Sequence, residues 1–236
     1  MIGQRPMIGQ HVVEIPVQRV RHQAAVSQHD VLAVEEPLEI RLEYEESGER
    51  RRTNVAVTMR TPGGDVELAV GFLFAEGILL VYGDVASVRH TGPSGGKRHN
   101  RNVVTVRLKP GVTFDATRLD RHFYTTSSCG VCGKASLEAV GVVRAPSLPD
   151  GPRLTPEVIH GLAHTLRAAQ AVFDQTGGLH AAALFTPGGD LVRIREDVGR
   201  HNAVDKLVGR ALQSGSLPLS RAVLLVSGRA SFELAQ

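Results

Sequence analysis

Two cysteines, Cys129 and Cys132, are the most reactive side chains in this sequence, and they stand three positions apart. No other cysteine is present, so a disulfide framework cannot form and a closed zinc site would need further ligands. Glycines occupy positions 130 and 133, and Lys134 follows at the start of a predicted helix. A helix N-terminus and a nearby cation both favour the thiolate form of a cysteine. We therefore expect reactive thiols that can carry sulfur as a persulfide.

The sequence leaves other interpretations of this pair open. The cysteines could form half of a zinc site, or they could stand together without any function. A thioredoxin-type oxidoreductase would place them at the start of a long helix directly after a core strand. Here the preceding residues 124–128 are rich in hydroxyl groups, and the predicted helix at 134–140 is short. We expect Cys129 to be the carrier, because it lies farther from that helix and reaches farther, with Cys132 as its helper.

Three polar motifs in the second half of the chain could hold an anionic ligand. Residues 176–180 place two glycines and an imidazole at the entrance to a predicted strand. Residues 195–206 group cationic side chains at the start of a predicted helix, where backbone N–H groups and the dipole favour anions. Residues 227–229 put a hydroxyl, a glycine and a guanidinium after the last predicted strand. The candidate cofactor-binding residues are Gly177, Gly178, His180, Arg195, Asp197, Arg200, His201, Asn202, Lys206, Ser227, Gly228 and Arg229.

Each of these motifs also has an ordinary explanation. The glycines at 177 and 178 suit a plain turn into a strand, and the mixed charges of residues 195–206 suit a solvated helix face. Asp197 is expected to cap the helix that opens near Gly199. We favour a binding site because the three motifs converge on strand ends of one lobe.

The residues before the cysteine pair form a β-rich lobe in this interpretation. Short runs of β-branched and apolar residues predict strands at 12–15, 31–34, 38–42, 55–59, 85–88 and 103–108. Asp65 follows a Pro-Gly-Gly turn and is expected to cap a helix that runs to Glu76, since apolar residues recur there at helical spacing.

The residues after the cysteine pair predict an α/β lobe. Thr155, Pro156 and Glu157 supply an N-cap, a first-turn proline and a first-turn acid for a helix that runs to about Phe173. Further elements are predicted as a hairpin of 179–185 and 191–195, a helix at 200–212, a strand at 222–226 and a helix opened by 227–229. We divide the chain into a flexible leader (1–11), a β-rich lobe ending in the cysteine loop (12–140), a linker (141–153) and an α/β lobe (154–236). Because the sequence stops inside its last predicted helix, we expect a C-terminal truncation.

The composition excludes several classes of protein. With 236 residues, of which 42% are hydrophobic and 22% charged, the chain can bury a core. A net charge of +3 is too small to indicate a nucleic-acid partner. No segment approaches the roughly 18 apolar residues of a membrane span, and the N-terminus lacks the pattern of a signal peptide. We expect a cytoplasmic protein without a nucleic-acid or membrane partner.

The motifs closely resemble those of the formate dehydrogenase accessory sulfurtransferases, the FdhD family. The matching segments are 126–136, 176–180, 195–206 and 227–233, and their order and spacing agree over most of the chain after Val55. The resemblance implies a sulfurtransferase that accepts sulfur as a persulfide from a cysteine desulfurase. It implies delivery to the bis-pterin guanine dinucleotide form of the molybdenum or tungsten cofactor, before that cofactor enters formate dehydrogenase. It also implies a second lobe shaped like the cytidine deaminases, and a homodimer.

Two rival functions follow from this resemblance. A zinc deaminase needs a His-x-Glu motif and a Pro-Cys-x-x-Cys motif, because zinc must generate hydroxide and a carboxylate must move its proton. Here the corresponding segments, beginning at His201 and Ser227, contain neither the glutamate nor the thiolates. We therefore expect a deaminase-like lobe without zinc and no tightly bound structural metal. A non-catalytic chaperone would bind the same cofactor, and its cysteines would serve only structure or oligomer contacts.

Overall fold

The structure is a computed structural model that describes residues 11–22, 24–92, 102–114, 123–124, 150–231 and 234. Its strands form a two-stranded hairpin, a five-stranded sheet and a three-stranded sheet. In chain order the strands are β1 (Val12–Arg21), β2 (Ala24–Ala33), β3 (Glu36–Glu46), β4 (Glu49–Arg60), β5 (Val85–His90), β6 (Val103–Leu108), β7 (Phe123–Tyr124), β8 (His180–Phe185), β9 (Leu191–Asp197) and β10 (Val223–Val226). The helices are α1 (Asp65–Ala75), α2 (Pro156–Ala169), α3 (Ala171–Thr176) and α4 (Arg200–Gln213), with a 3₁₀ turn at Tyr82–Asp84. Within the described ranges, no helix is long and apolar enough to cross a membrane.

The five-stranded sheet has the order β5-β6-β3-β4-β7, with β3 at its centre. β3 pairs antiparallel with β4 and parallel with β6. Leu38, Ile40 and Leu42 are fully buried, because alternate residues of a strand point to the same face. Helix α1 covers that face and contributes Leu68 and Leu73 to the same core.

The start of α1 differs from the sequence prediction, and the expected cap at Asp65 is wrong. Gly64 occupies the cap position with a φ of 67°, and no side chain caps the helix. Asp65 is the first helical residue, and its carboxylate accepts hydrogen bonds from Arg60 Nε and Nη2 at 3.0 Å each. Arg60 is fully buried, and leaving its guanidinium without a carboxylate would cost more than leaving the helix end without a side-chain cap.

The three-stranded sheet has β8 at its centre, antiparallel to both β9 and β10. One face of β8 presents Ala183 and Phe185 to Leu162 of α2. The opposite face presents Leu184 to Leu207 of α4. A strand covered on both sides can be apolar at almost every position, which explains the continuous apolar run of this segment.

Helices α1 and α4 join the two sheets through a contact between glycines. A Cβ atom added to Gly209 of α4 would overlap the carbonyl oxygen of Glu67 and lie 2.7 Å from Gly71 N. A Cβ added to Gly71 of α1 would overlap the carbonyl of Asp205. The two helix backbones therefore touch. The order of layers is α2, the three-stranded sheet, α4, α1 and the five-stranded sheet.

The predicted helix from Thr155 to about Phe173 is two helices in the structure. Thr155 caps α2 as expected and accepts the Val158 N–H, but α2 ends at Ala169. Gln170 leaves helical geometry with a ψ of 78°, and α3 then begins. The Glu196 carboxylate accepts the N–H groups of Val172 and Phe173 at 3.1 and 2.9 Å. A side chain from β9 thus stabilises a helix start that no local signal indicates.

Most other predicted elements are confirmed, with boundaries shifted by a few residues. The strands predicted at 12–15 and 31–34 lie at the open end of the hairpin, away from its turn. Each belongs to a longer strand, β1 or β2. The helix expected to open at 227–229 is absent from residues 227–231, where the chain bends, and Leu234 is helical. The chain is therefore mixed α/β with a β-rich first part, as predicted. The likeness of its second lobe to cytidine deaminases stays a prediction.

Candidate functional site

The predicted catalytic residues, Cys129 and Cys132, lie outside the described residues. The element that precedes them is β7, which pairs with the edge of β4 and places Tyr124 opposite Val57. This pairing is parallel. Strand β7 therefore runs in the same direction as β4, toward the C-terminal end of β4. That end of β4 is also where helix α4 meets the five-stranded sheet.

Asn202, in the first turn of α4, attaches the helix to the end of β4. Its Nδ2 atom donates to the carbonyl oxygen of Met59 at 2.8 Å. Its Oδ1 atom accepts the hydroxyl of Thr58 at 3.2 Å. Asn202 is 8% exposed, and buried polar groups of this kind fix one arrangement of two elements. The N-terminus of α4 is therefore held against the strand that pairs with β7.

A buried ion pair lies beside this contact. Lys206 Nζ is 2.6 Å from Asp197 Oδ2 and donates to the carbonyl oxygen of Thr61 at 3.0 Å. Asp197 also accepts the N–H groups of Thr61 at 3.2 Å and Gly199 at 2.9 Å. The expectation that Asp197 caps α4 is wrong, since Gly199 holds the cap position without a side-chain bond. Lys206 and the Thr61 N–H hold the carboxylate of Asp197, which lies two residues before the cap position.

Arg195 joins the two parts of the molecule by a bidentate ion pair. Its Nε and Nη2 atoms donate to the Glu67 carboxylate of α1 at 2.6 and 2.8 Å. Its Nη1 atom donates to the carbonyl oxygen of Ile194 at 2.8 Å. The hydrogen bonds that Arg195 donates to Glu67 raise the pKa of Arg195 above its ordinary value, against the opposing effect of burial. We call Arg195, Asp197, Asn202 and Lys206 the inner group.

A second set of predicted residues lies at the start of β8, after the end of β10 and at the start of α4. The Ser227 hydroxyl accepts the Ala181 N–H at 2.9 Å and lies 3.3 Å from His180 Nδ1. The Nε2 atom of His180 makes no hydrogen bond to a described residue, so it can donate to or accept from a ligand, according to the tautomer.

Arg200 and His201 open α4 beside this pair. A Cβ atom added to Gly228 would lie 2.7 Å from Arg200 Cδ, so the glycine lets the arginine side chain pass close to the strand end. His201 Nε2 lies 3.2 Å from the Ser231 hydroxyl. Burial, and then the charge of Arg200, hold the pKa of His201 below its ordinary value. The imidazole is therefore a neutral hydrogen-bonding group near pH 7.

The loop with Gly177 and Gly178 enters the same strand end. Gly177 ends α3 with a φ of 67°, a left-handed conformation that glycine adopts readily. The Gly178 N–H donates to the Thr176 hydroxyl at 3.2 Å. Glu196 fixes the start of α3, so the glycine loop is held at both ends. We call the residues at the ends of β8 and β10 and at the start of α4 the outer group: His180, Arg200, His201, Ser227, Gly228 and Arg229.

A cavity of about 380 Å³ lies between the inner group and the start of α1. Its charged lining residues include Glu67, Arg195, Glu196 and Lys206. Each cation among them is paired with a protein carboxylate, so the cavity is not a ready anion site. Within the part of the chain that the structure describes, no three His, Cys, Asp or Glu side chains group closely enough to hold a metal ion.

The structure thus brings the predicted binding residues together, but on two sides of α4. The inner group binds protein atoms. The outer group combines the exposed residues Ser227 and Arg229 with Arg200, which is buried. Exposed Arg229 has no ion pair with any described residue. Sequence reasoning missed Thr61, Glu67 and Glu196, which position the others. Nothing local marks Glu67, since its partner Arg195 is 128 positions away.

Comparisons with known proteins identify relatives of this chain. The profile of the FdhD/NarQ family matches residues 33–236. A protein of Streptomyces avermitilis named "Sulfur carrier protein FdhD" is 57% identical over 221 residues, which cover 92% of this chain and 76% of the relative. A protein of the same name from Mycobacterium tuberculosis is 49% identical over 229 residues, covering 92% of this chain and 79% of the relative.

A solved structure shows a similar fold. It is the crystal structure of a formate dehydrogenase accessory protein from Desulfotalea psychrophila, with a TM-score of 0.62 and 19% sequence identity. The match covers 95% of this chain and 76% of that one. The family profile spans most of the sequence, and the relatives are similar across nearly the whole chain. This chain therefore belongs to the FdhD/NarQ family.

Proposed function

We propose that this chain is a sulfurtransferase that accepts sulfur as a persulfide on Cys129 from a cysteine desulfurase. The acceptor is the bis-pterin guanine dinucleotide cofactor of molybdenum or tungsten, which the chain prepares for formate dehydrogenase in the cytoplasm. The names of the relatives support a sulfur carrier. The observation that carries the proposal is that the chain enters the cysteine segment from Tyr124, next to the end of β4 that holds α4.

Chain lengths support transfer between these two places. Val57 lies opposite Tyr124, and Met59, which binds Asn202, is two residues farther along β4. With strands about 4.8 Å apart and a rise of about 3.3 Å per residue, Tyr124 lies roughly 8 Å from Met59 between Cα atoms. Five extended residues span at most about 18 Å. Cys129 is five residues after Tyr124, so the length of the chain allows transfer at the first turn of α4.

The outer group suits the guanine dinucleotide part of the proposed acceptor. His180 Nε2 can form a hydrogen bond, and Arg229 offers a guanidinium with no protein carboxylate beside it in the described residues. The N-terminus of α4 adds backbone N–H groups and the positive end of its dipole, which favour a phosphate. A diphosphate held there would leave the pterin end free to approach the cysteine segment.

The same positions favour sulfur transfer over deamination. In the His-x-Glu motif of a zinc deaminase the glutamate moves a proton, and this chain has Ala203 there, fully buried against β8. Ser227 begins the segment where a deaminase would supply two thiolates. We propose that the lobe has a deaminase-like shape that holds a nucleotide without zinc.

Loading with sulfur is tested by intact-mass spectrometry of the full chain after incubation with a cysteine desulfurase and cysteine. We expect one added sulfur atom, which a thiol reductant removes as the S–S bond breaks and the Cys129 thiolate leaves. Cys129→Ala should abolish loading and the activation of formate dehydrogenase. Cys132→Ala is the matched control and should weaken activation more than loading. Normal loading in Cys129→Ala would overturn the assignment.

A non-catalytic chaperone is the second candidate, because every residue of the outer group belongs to the second lobe. Such a site could hold the cofactor without any thiol. The double variant Cys129→Ala/Cys132→Ala separates the two functions. A chaperone would still activate formate dehydrogenase with both cysteines replaced, whereas a sulfur carrier would not.

A further inference from the structure

Helix α2 carries two histidines that stand four positions apart, His160 and His164. Both are exposed, and neither makes a hydrogen bond or an ion pair with any residue that the structure describes. Side chains four positions apart on a helix are neighbours on one face, with their Cβ atoms about 5–6 Å apart. The two imidazoles therefore lie one turn above each other, and both have ring nitrogens available to a ligand.

The packing of α2 turns this face of the helix toward solvent. Leu162 and Leu166 are buried and pack with Phe185 of β8. Each histidine precedes one of these leucines by two positions, which corresponds to about 200° around the helix axis. Thr155 caps the first turn, so the helix is well formed before it reaches the pair. The histidines thus stand on the open side of a helix whose other side is fixed by the core.

The charged residues of α2 leave room for a cation beside the pair. Glu157 is exposed three positions before His160, so its negative charge lies on the same side of the helix. Arg167 is the one cation within α2, and its Nη2 atom lies 3.1 Å from Asp174 Oδ1. Its guanidinium also lies over the Phe173 ring, 4.7 Å from the centroid. The arginine is therefore directed toward α3, where an acid offsets its charge.

We propose that His160 and His164 together bind one divalent cation of the zinc type, with water in the remaining coordination positions. Imidazole nitrogen is a preferred ligand of Zn²⁺, Ni²⁺ and Cu²⁺, whereas Mg²⁺ and Ca²⁺ take oxygen ligands. Two histidines four positions apart on one helix face supply two nitrogens to a single ion. No group of three His, Cys, Asp or Glu side chains among the described residues could hold a metal, so this ion has two protein ligands and exchanges readily.

Chelation by this pair couples the metal to the fold. The folded helix holds the two imidazoles one turn apart, whereas the unfolded chain must lose conformational entropy to bring them together. An ion that binds the folded chain more tightly than the unfolded chain stabilises the folded chain by mass action. The pair shares no residue with the inner or the outer group, so the site does not depend on sulfur transfer.

Calorimetric titration with Zn²⁺ tests the proposal on the full chain carrying Cys129→Ala/Cys132→Ala, because the two thiols would bind the same ion. We expect saturable Zn²⁺ binding to this cysteine-free chain, and no binding of Mg²⁺. Adding His160→Gln or His164→Gln should weaken Zn²⁺ binding about tenfold or more. The variant with both histidines replaced should lose little more than either single variant, because one remaining imidazole no longer chelates.

His29→Gln is the matched control, since it removes an exposed histidine of β2 that has no histidine four positions away. We expect it to leave Zn²⁺ affinity unchanged. Zn²⁺ should also raise the free energy of unfolding of the cysteine-free chain in urea, and His160→Gln should remove that increase. Unchanged Zn²⁺ affinity in His160→Gln or in His164→Gln would overturn the proposal. An equal loss of affinity in His29→Gln would also overturn it.

Discussion

Replacing Lys206 with methionine leaves the Asp197 carboxylate without its cation. Methionine keeps most of the side-chain volume and removes Nζ, which lies 2.6 Å from Asp197 Oδ2. The two side chains are 3% and 0% exposed, so water cannot take the place of the lost charge. Removing one partner of a buried ion pair costs on the order of 3–5 kcal/mol. That is a large part of the roughly 5–15 kcal/mol that keeps a domain folded.

The remaining contacts of Asp197 set where the loss falls within that range. Its oxygens still accept N–H groups from Thr61, Gly199 and Asn202, which offset part of the lost interaction. We therefore expect a loss of about 3 kcal/mol in the free energy of unfolding. Urea unfolding measures it. Lys206→Met/Asp197→Asn should cost about 1–3 kcal/mol less than the sum of its two single variants, because the pair is coupled.

Nucleotide binding shows whether the inner group is structural. Lys206 points into the contact between the lobes, so folded Lys206→Met should bind guanosine diphosphate within about twofold of wild type in calorimetry. A variant with unchanged unfolding free energy but lost nucleotide binding would refute this reasoning. Lys206 would then be a ligand-binding residue, as the sequence motif alone suggested.

Three further predictions follow from the other contacts. Gly209→Ala should cost about 1–3 kcal/mol in urea unfolding because its Cβ would collide with the backbone of α1, whereas Gly161→Ala, an open helical position, should stabilise by about 0.5–1 kcal/mol. The pKa of His201 is lowered in the folded state, so the free energy of unfolding should fall as the pH drops below about 6.5. His201→Gln should flatten that part of the pH profile. Equal slopes in the wild type and in His201→Gln would contradict the prediction. Arg229→Ala should weaken guanosine diphosphate binding about tenfold or more in calorimetry, and unchanged affinity would remove Arg229 from the site.

The elements that the sequence predicted well are those with local signals. Thr155 caps α2 because the hydroxyl and its N–H partner are three positions apart. The two predicted caps at Asp65 and Asp197 failed for one shared reason. Each carboxylate forms an ion pair with a buried cation, Asp65 with Arg60 and Asp197 with Lys206. These cations are buried only in the packed fold, so the local sequence does not indicate the ion pairs.

The sequence predicted which residues belong to the site. It did not predict on which side of α4 each of them lies. Asn202 and Lys206 are four positions apart, so the sequence does place them on one face of α4. It does not show that this face meets β4 and α1, because Thr61 and Glu67 are far away along the chain. The sequence motif alone predicts that Arg195 binds an anion, but in the structure Arg195 pairs with Glu67.

The crossing of Gly71 and Gly209 limits how this protein can be re-engineered. Where two helices meet through side chains, a changed rotamer can accommodate a larger residue. Here the backbones of α1 and α4 are in direct contact, so no rotamer change can make room. A chimera that grafts the second lobe of one relative onto the first lobe of another must therefore keep small residues at both positions. It must also keep an acid at position 67, which sits at the crossing and pairs with Arg195. The two halves can therefore be exchanged only between relatives that have an acid at position 67 and small residues at positions 71 and 209.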